Sequence, residues 1–185
     1  MNKVSLGPYL IKHIVETSIN TSTESELIAL LEECFPDTFE GRTYFKQMPH
    51  ARLLHYHDGV LAGQVGLDFR IIRVGTEVIR TLGLIDLCVT PKLRFQKRAS
   101  AMLERVAVIA SQARTDFQIL FADIPLLYLN NGYKPVEPSQ ITWLAIEERK
   151  TYGVMERDMT GILLARPTSN MTFPVGKIDL LGYLF

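Results

Sequence analysis

Between an apolar strand pattern that closes at Pro91 and an apolar-striped helix pattern that opens at Ala99, the chain reads VTPKLRFQKRASAML. Four of the seven residues after Pro91 are cationic: Lys92, Arg94, Lys97 and Arg98. A strand-to-helix turn leaves the first N–H groups of the helix without intrahelical acceptors. The helix dipole adds positive potential there, so such junctions hold anions, phosphates above all. Phosphate loops ordinarily carry glycine for φ > 0 and close backbone approach, and this one has none. Just upstream, Asp86 interrupts the apolar run GLIDLCV. A carboxylate there is costly unless it has a partner or a task; it could act as a general base or hold a cation, or simply pair with an arginine or a backbone group. Asp123, after the next apolar run, is a second acid–base candidate, against which stands a plain helix-capping role. His55 and His57 alternate on one strand and share a face, but no third ligand is evident, so no metal is expected.

These residues must be positioned by a chain of 185 residues, a length suited to one domain. Hydrophobic residues make up 47% and charged residues 22%, enough for a full core. The formal net charge of zero argues against a nucleic-acid partner, which ordinarily meets a basic excess, so the cationic site is a local feature. No segment reaches the ~18 uninterrupted apolar residues of a membrane helix, and the first residues lack a signal-peptide pattern. The expected setting is the cytoplasm, with no membrane partner. Cys34 and Cys88, in LLEECF and IDLCV, read as buried free thiols.

Along the chain, PYLIKHIV (8–15) predicts a strand. TSTESELIALLEECF predicts a helix with Leu27, Leu30, Leu31 and Cys34 on one face and a Thr23–Glu26 capping box. GRTYFKQM (41–48) predicts a short second helix. ARLLHYH and VLAGQVGLDF meet at Asp58-Gly59, a hairpin signal, and RIIRV and EVIRTLGLIDLCV meet across Gly75-Thr76, giving an antiparallel meander of three long strands. Met102, Leu103, Val106, Ala110 and Ala113 share one helical face with Ala99. FQILFA (117–122) predicts a buried strand, and the helical crossover before it makes it parallel to the preceding strand. PLLYLNNG (125–132) predicts a short helix ending at Gly132. SQITWLAIE and ILLARP predict further strands, and the apolar tail VGKIDLLGYLF should dock.

This element order, together with the basic loop, resembles the GNAT N-acetyltransferases. Their acyl-CoA motif reads arginine or glutamine, two residues, glycine, one residue, then glycine or alanine at a strand-to-helix junction. Val89, Pro91, Arg94, Ala99 and Leu103 carry the match. Downstream, Leu127, Tyr128, Gly132 and Tyr133 of LLYLNNGYKPV resemble the family's leucine–tyrosine and glycine–aromatic signature; together the likeness spans roughly residues 10–147. It implies an α+β fold with a central mixed, mostly antiparallel sheet of six to seven strands flanked by about four helices. It further implies a single domain over 1–185, with 147–185 as a docked C-terminal extension. The implied activity is an acyl-CoA-dependent N-acyltransferase that moves an acetyl group directly from acetyl-CoA to a small-molecule amine, without metal; a homodimer is admitted. The backbone of Leu87, Cys88 and Val89 would receive the thioester carbonyl and the pantetheine amides. Arg94, Phe95, Gln96, Lys97, Arg98, Ala99 and Ser100 would bind the pyrophosphate, and the pantetheine arm would lie between the strands ending near Val89 and Ala122. Tyr128 would protonate the leaving thiolate, since a phenol pKa of about 10 lies close to that of a thiol. Asp86 would act on the amine.

The loop departs from the motif in one respect. Lys97 stands where the first glycine belongs, and Phe95 replaces another common glycine. One outcome is a loop with negative φ throughout, to which Lys97 and Arg98 add charge, as in the glycine-poor loop of aminoglycoside 2′-N-acetyltransferases, which this one resembles. The other is a decayed site on a non-catalytic binding or interaction module that kept the fold. Within the enzyme reading, residues 36–49 and 147–185 would shape the acceptor pocket.

Overall fold

The computed structural model describes residues 9–137, 140–147 and 149–184. Ten strands are present among them: β1 (Tyr9–Val15), β2 (Ala51–His57), β3 (Val60–Val74), β4 (Glu77–Val89), β5 (Phe117–Phe121), β6 (Lys134–Pro135), β7 (Gln140–Glu147), β8 (Lys150–Asp158), β9 (Leu163–Pro167) and β10 (Ile178–Tyr183). Three α-helices accompany them: α1 (Thr21–Cys34), α2 (Arg98–Gln112) and α3 (Leu126–Leu129). The described residues fall into two compact units, 9–67 with 86–102 and 68–85 with 103–184.

In the first unit, β1, β2 and the start of β3 form an antiparallel ribbon, with Lys12 opposite Leu54 and Leu54 opposite Gln64. Asp58 and Gly59 both take positive φ, 50° and 79°, the conformation that a two-residue hairpin turn demands. The apolar face of α1 buries Leu27, Leu30 and Leu31 with Leu54, Leu61, Cys88 and Phe39. Its N-cap is Asn20, whose Oδ1 accepts from the Thr23 N–H at 2.9 Å, so the expected Thr23–Glu26 box does not form. Asparagine caps as well as threonine, and starting earlier lets residues 21–23 enter the helical ladder. The helix expected over 41–48 is also absent. Asp37, Glu40 and Gly41 turn the chain through positive φ. Side chains then hold the loop: Gly41 N–H donates to Glu32 Oε1 at 2.9 Å, and Arg42 Nε donates to Phe39 O at 2.9 Å.

In the second unit the strands run in the order β6-β9-β5-β4-β3-β10-β7-β8. β5 lies parallel to β4 through Thr81–Phe117, Leu82–Gln118 and Gly83–Ile119, as the helical crossover requires. The apolar tail becomes β10, antiparallel to β3 at Ile178–Val74 and parallel to β7 at Ile178–Ile141. Ile72, Val74, Phe117, Trp143, Ile178 and Leu180 share one buried core. The mostly antiparallel α+β class with few helices matches the expectation, but the ten strands among the described residues outnumber the six to seven expected. β6 is two residues long. β8 is exposed along almost its whole length and so carries no alternating apolar pattern by which a strand could be read. Among the described residues no helix is long and apolar enough to cross a membrane.

Candidate active site

The basic loop hangs between two anchored ends in the first unit. At its start, Thr90 N–H donates to Ala62 O at 2.8 Å, and a 3-10 turn spans Pro91–Leu93. Arg94 is extended at φ −64° and ties its Nε to Val89 O at 3.1 Å. At its end, Lys97 O accepts from Ala101 N–H at 3.0 Å, the first rung of α2. Gln96 Nε2 closes the loop on Lys92 O at 3.2 Å. Between these anchors Phe95 sits at φ 61° and Lys97 at φ 58°, with Gln96 on the ordinary side. The expectation of negative φ throughout is therefore overturned. Left-handed conformation costs an L-residue about 1–2 kcal/mol, so the loop holds two such penalties within three residues. Alternation between the two hands turns successive N–H groups toward one concavity, a nest for an anion. Phe95 and Lys97 are the two positions at which the motif would have glycine. The backbone thus adopts the glycine-type conformation without glycine, because the Arg94 tie and the start of α2 impose it.

Lys92, Arg94 and Lys97 project to solvent from this loop, as does the Phe95 ring. Arg98 does not. Its side chain is 3% exposed, with the guanidinium 5.2 Å from the Tyr9 ring centroid. It therefore lends the loop a helix-initiating N–H rather than an exposed charge. The Tyr9 ring also stacks on His55 at 5.3 Å. Burial and the charge of Arg98 hold the His55 pKa below the usual histidine range. His55 and His57 share a face, as read from the sequence, and among the described residues no cluster of three metal-ligating side chains forms.

Asp86 lies at φ 51° inside β4, a left-handed residue in an otherwise extended strand, which re-aims its side chain. Gln64 holds the conformation by donating its Nε2 to Asp86 O. Gln64 Oε1 in turn accepts from Arg52 Nη1 at 3.2 Å. Arg52 is 1% exposed and binds Glu16 through two bonds, Nε to Oε2 at 2.7 Å and Nη2 to Oε1 at 2.8 Å, with Nη2 also on Thr43 O at 2.7 Å. The Asp86 carboxylate itself is half-buried and has no hydrogen bond or ion pair with a described residue. Burial pushes its pKa up to about 6, against the opposing pull of Arg52. Sequence reasoning did not assemble Glu16, Arg52 and Gln64. For Arg52 and Gln64 a signal was present, single polar residues at strand positions flanked by apolar ones, ARLL and AGQVG; Glu16, in the 3-10 turn after β1, gave none. Beyond Asp86, Leu87 is half-buried, while Cys88 and Val89 are buried. The O atom of Cys88 lies 2.9 Å from where a Cβ on Gly63 would sit, so only glycine allows β3 that close.

Tyr128 lies on α3 in the second unit, half-buried and edge-on to Tyr133 at 5.8 Å. Tyr133 is buried and donates its hydroxyl to Gln118 Oε1 at 2.8 Å. Gly132 follows at φ 83°, the left-handed end expected for this helix. Asp123 is exposed and does not cap α3.

No protein-family model matches the chain, and no curated protein sequence matches it. Solved structures do. The GNAT family N-acetyltransferase YhbS from Escherichia coli, in complex with CoA, aligns at a TM-score of 0.65 and 16% identity over 93% of this chain and 89% of its own. The chain has the GNAT fold. The E. coli ribosomal-protein-S18-alanine N-acetyltransferase aligns at a TM-score of 0.58 and 15% identity, over 90% of this chain and 100% of its own. A GNAT family acetyltransferase from Brucella melitensis, in complex with acetyl-CoA, aligns at 0.57 and 13% identity, over 92% and 94%. At these identities the likeness is one of fold, and function has to be argued from the site.

Proposed function

We propose that this protein is an acyl-CoA-dependent N-acyltransferase that moves an acetyl group from acetyl-CoA directly to the amine of a small molecule. The observation that carries the reading is the left-handed backbone at Phe95 and Lys97, a strained anion nest kept at the positions where the motif has glycine. Two GNAT-fold neighbours hold CoA or acetyl-CoA, which supports the same ligand here. In this reading the N–H groups of 95–100 wrap the pyrophosphate, and Arg94 and Lys97 add charge from the solvent side. The backbone of Leu87, Cys88 and Val89 orients the pantetheine amides and the thioester carbonyl.

Asp86, with a pKa near 6, is ionised at neutral pH and takes the proton that the amine nitrogen sheds as it attacks the carbonyl. The Tyr128 hydroxyl gives a proton to the sulfur as the C–S bond breaks. Calorimetry with acetyl-CoA tests the first half. Replacing Arg94 and Lys97 together by alanine should weaken binding about ten- to a hundredfold and flatten its salt dependence. Unchanged affinity with the fold intact would remove the loop from the site. Thiol release across an amine panel tests the second half: binding without release would make the protein an acyl-CoA-binding module.

A further inference from the structure

Cys34 ends α1 and Cys88 lies next to the last residue of β4. Cys88 is buried among Leu27, Leu31, Leu54 and Leu61, and Cys34 packs against the rim of that cluster, half-buried. The seam between helix and strand is pinned beside them: Thr90 Oγ1 donates to Glu33 Oε2 at 2.8 Å, tying the residue before Cys34 to the residue two after Cys88. Cys34 packs against the cluster that holds Cys88 across this seam, and the Arg94 guanidinium stands beside Cys34 on the open side. Arg94 is held there by its own bond to Val89 O.

Two facing thiols in an apolar cluster need no cation, and a helix C-terminus disfavours a thiolate. A guanidinium fixed beside one of the pair is what a thiolate requires. The Cys88 thiol and the charge of Arg94 beside it bring the Cys34 thiol down to about 7, while the neighbouring Cys34 and burial push Cys88 up. The accessible sulfur is thus the ionised one, and the buried sulfur keeps its proton.

We propose that Cys34 and Cys88 form a peroxide-sensitive dithiol, with Cys34 as the attacking thiolate and Cys88 as the resolving thiol. The Cys34 sulfur attacks one oxygen of hydrogen peroxide. The O–O bond breaks, hydroxide leaves, and Cys34 becomes a sulfenic acid. The Cys88 sulfur then attacks the Cys34 sulfur, the S–O bond breaks, and the oxygen leaves as water with the proton of Cys88. Two thiols are oxidised to one disulfide, and peroxide is reduced to two waters once the hydroxide is protonated. Arg94 and Cys88 also belong to the acyl-CoA site proposed above, so the oxidation is tested without CoA, where its outcome does not depend on acyl transfer.

The reduced full-length protein is treated with one equivalent of hydrogen peroxide and followed by intact mass and non-reducing peptide mapping. The expected product has lost two hydrogens, carries one Cys34–Cys88 linked peptide, and reverts with dithiothreitol. C88S should instead gain one oxygen at Cys34, captured by dimedone. Arg94→Gln should slow Cys34 oxidation roughly tenfold at neutral pH, because less thiolate is present. A link between two chains, stepwise oxygen addition in wild type without an internal link, or first capture at Cys88 would each overturn the proposal. The wild-type map decides even if C88S does not fold.

Discussion

At Asp86 two pressures meet: the backbone is left-handed and the carboxylate is half-buried with no described partner. The raised pKa fixes the sign of its effect on stability. The folded state holds this proton more tightly than the unfolded chain, so the stabilisation is complete below the ordinary aspartate value of 3.8 and is lost as pH rises through about 6. Relative to Asp86→Asn, the wild type should lose about 1–2 kcal/mol between acid and neutral pH, a figure discounted for the solvent access of the group. Paired urea titrations across that range measure it, and a constant difference would show that the carboxylate does not carry the shifted proton. In the proposed reaction the wild-type rate should rise through the same pH, and Asp86→Asn should lose that inflection. Tyr128 permits a cleaner chemical test, because Tyr128→Phe keeps the edge-on packing against Tyr133 and removes only the hydroxyl. Acetyl-CoA binding should persist while turnover falls roughly ten- to a thousandfold. A full rate across pH would end the assignment.

The loop before α2 is an element shaped by its ends. Helix initiation at Arg98 and the Arg94–Val89 tie close a short span, and left-handed turns at Phe95 and Lys97 are how the backbone meets both. Glycine adopts that conformation without penalty but is freer in the unfolded chain. Lys97→Gly should therefore raise stability by about 0.5–1 kcal/mol, a small net gain left by two opposed terms. Phe95→Gly should do the same, and its exposed ring gives up little burial. Denaturant midpoints check both, and a clear loss of stability at either site would show that its side chain contributes more than its backbone costs. The tie and the helix start remain in both variants, so acetyl-CoA affinity should hold within a fewfold for Phe95→Gly and drop modestly for Lys97→Gly, which loses a cation.

On the scale of the chain, β10 is the element whose loss should matter most to the second unit. It fills the place between β3 and β7 and buries Ile178 and Leu180 in the core of that unit. Ending the chain after Val175 forfeits about 1.5–3 kcal/mol for each of these side chains and leaves two strands with open edges. Against a typical stability of about 5–15 kcal/mol, that is a large share. A urea midpoint unchanged from the full chain would show that β10 is dispensable.

The sequence by itself determined what depends on neighbouring residues. Alternation and turn chemistry located β2, β3 and β4 and the Asp58-Gly59 hairpin; helical spacing located α1 and α2; the cation cluster marked the loop; and the apolar neighbours of Asp86 marked a carboxylate under pressure. Each of these is a local pattern, and local patterns are legible where side chains alternate between core and water. The tertiary structure alone decided what depends on distant residues. The cap at Asn20 and the turn at 37–42 are local competitions between neighbouring residues, but the structure alone gave β8, exposed along its length at the end of the strand order, where no pattern is left to read. It also decided that Phe95, Lys97 and Asp86 turn left-handed. Phenylalanine and lysine do not favour positive φ, and aspartate only tolerates it better than most; it follows from closing a loop and from a glutamine on the adjacent strand, which holds Asp86 only once the strands have paired.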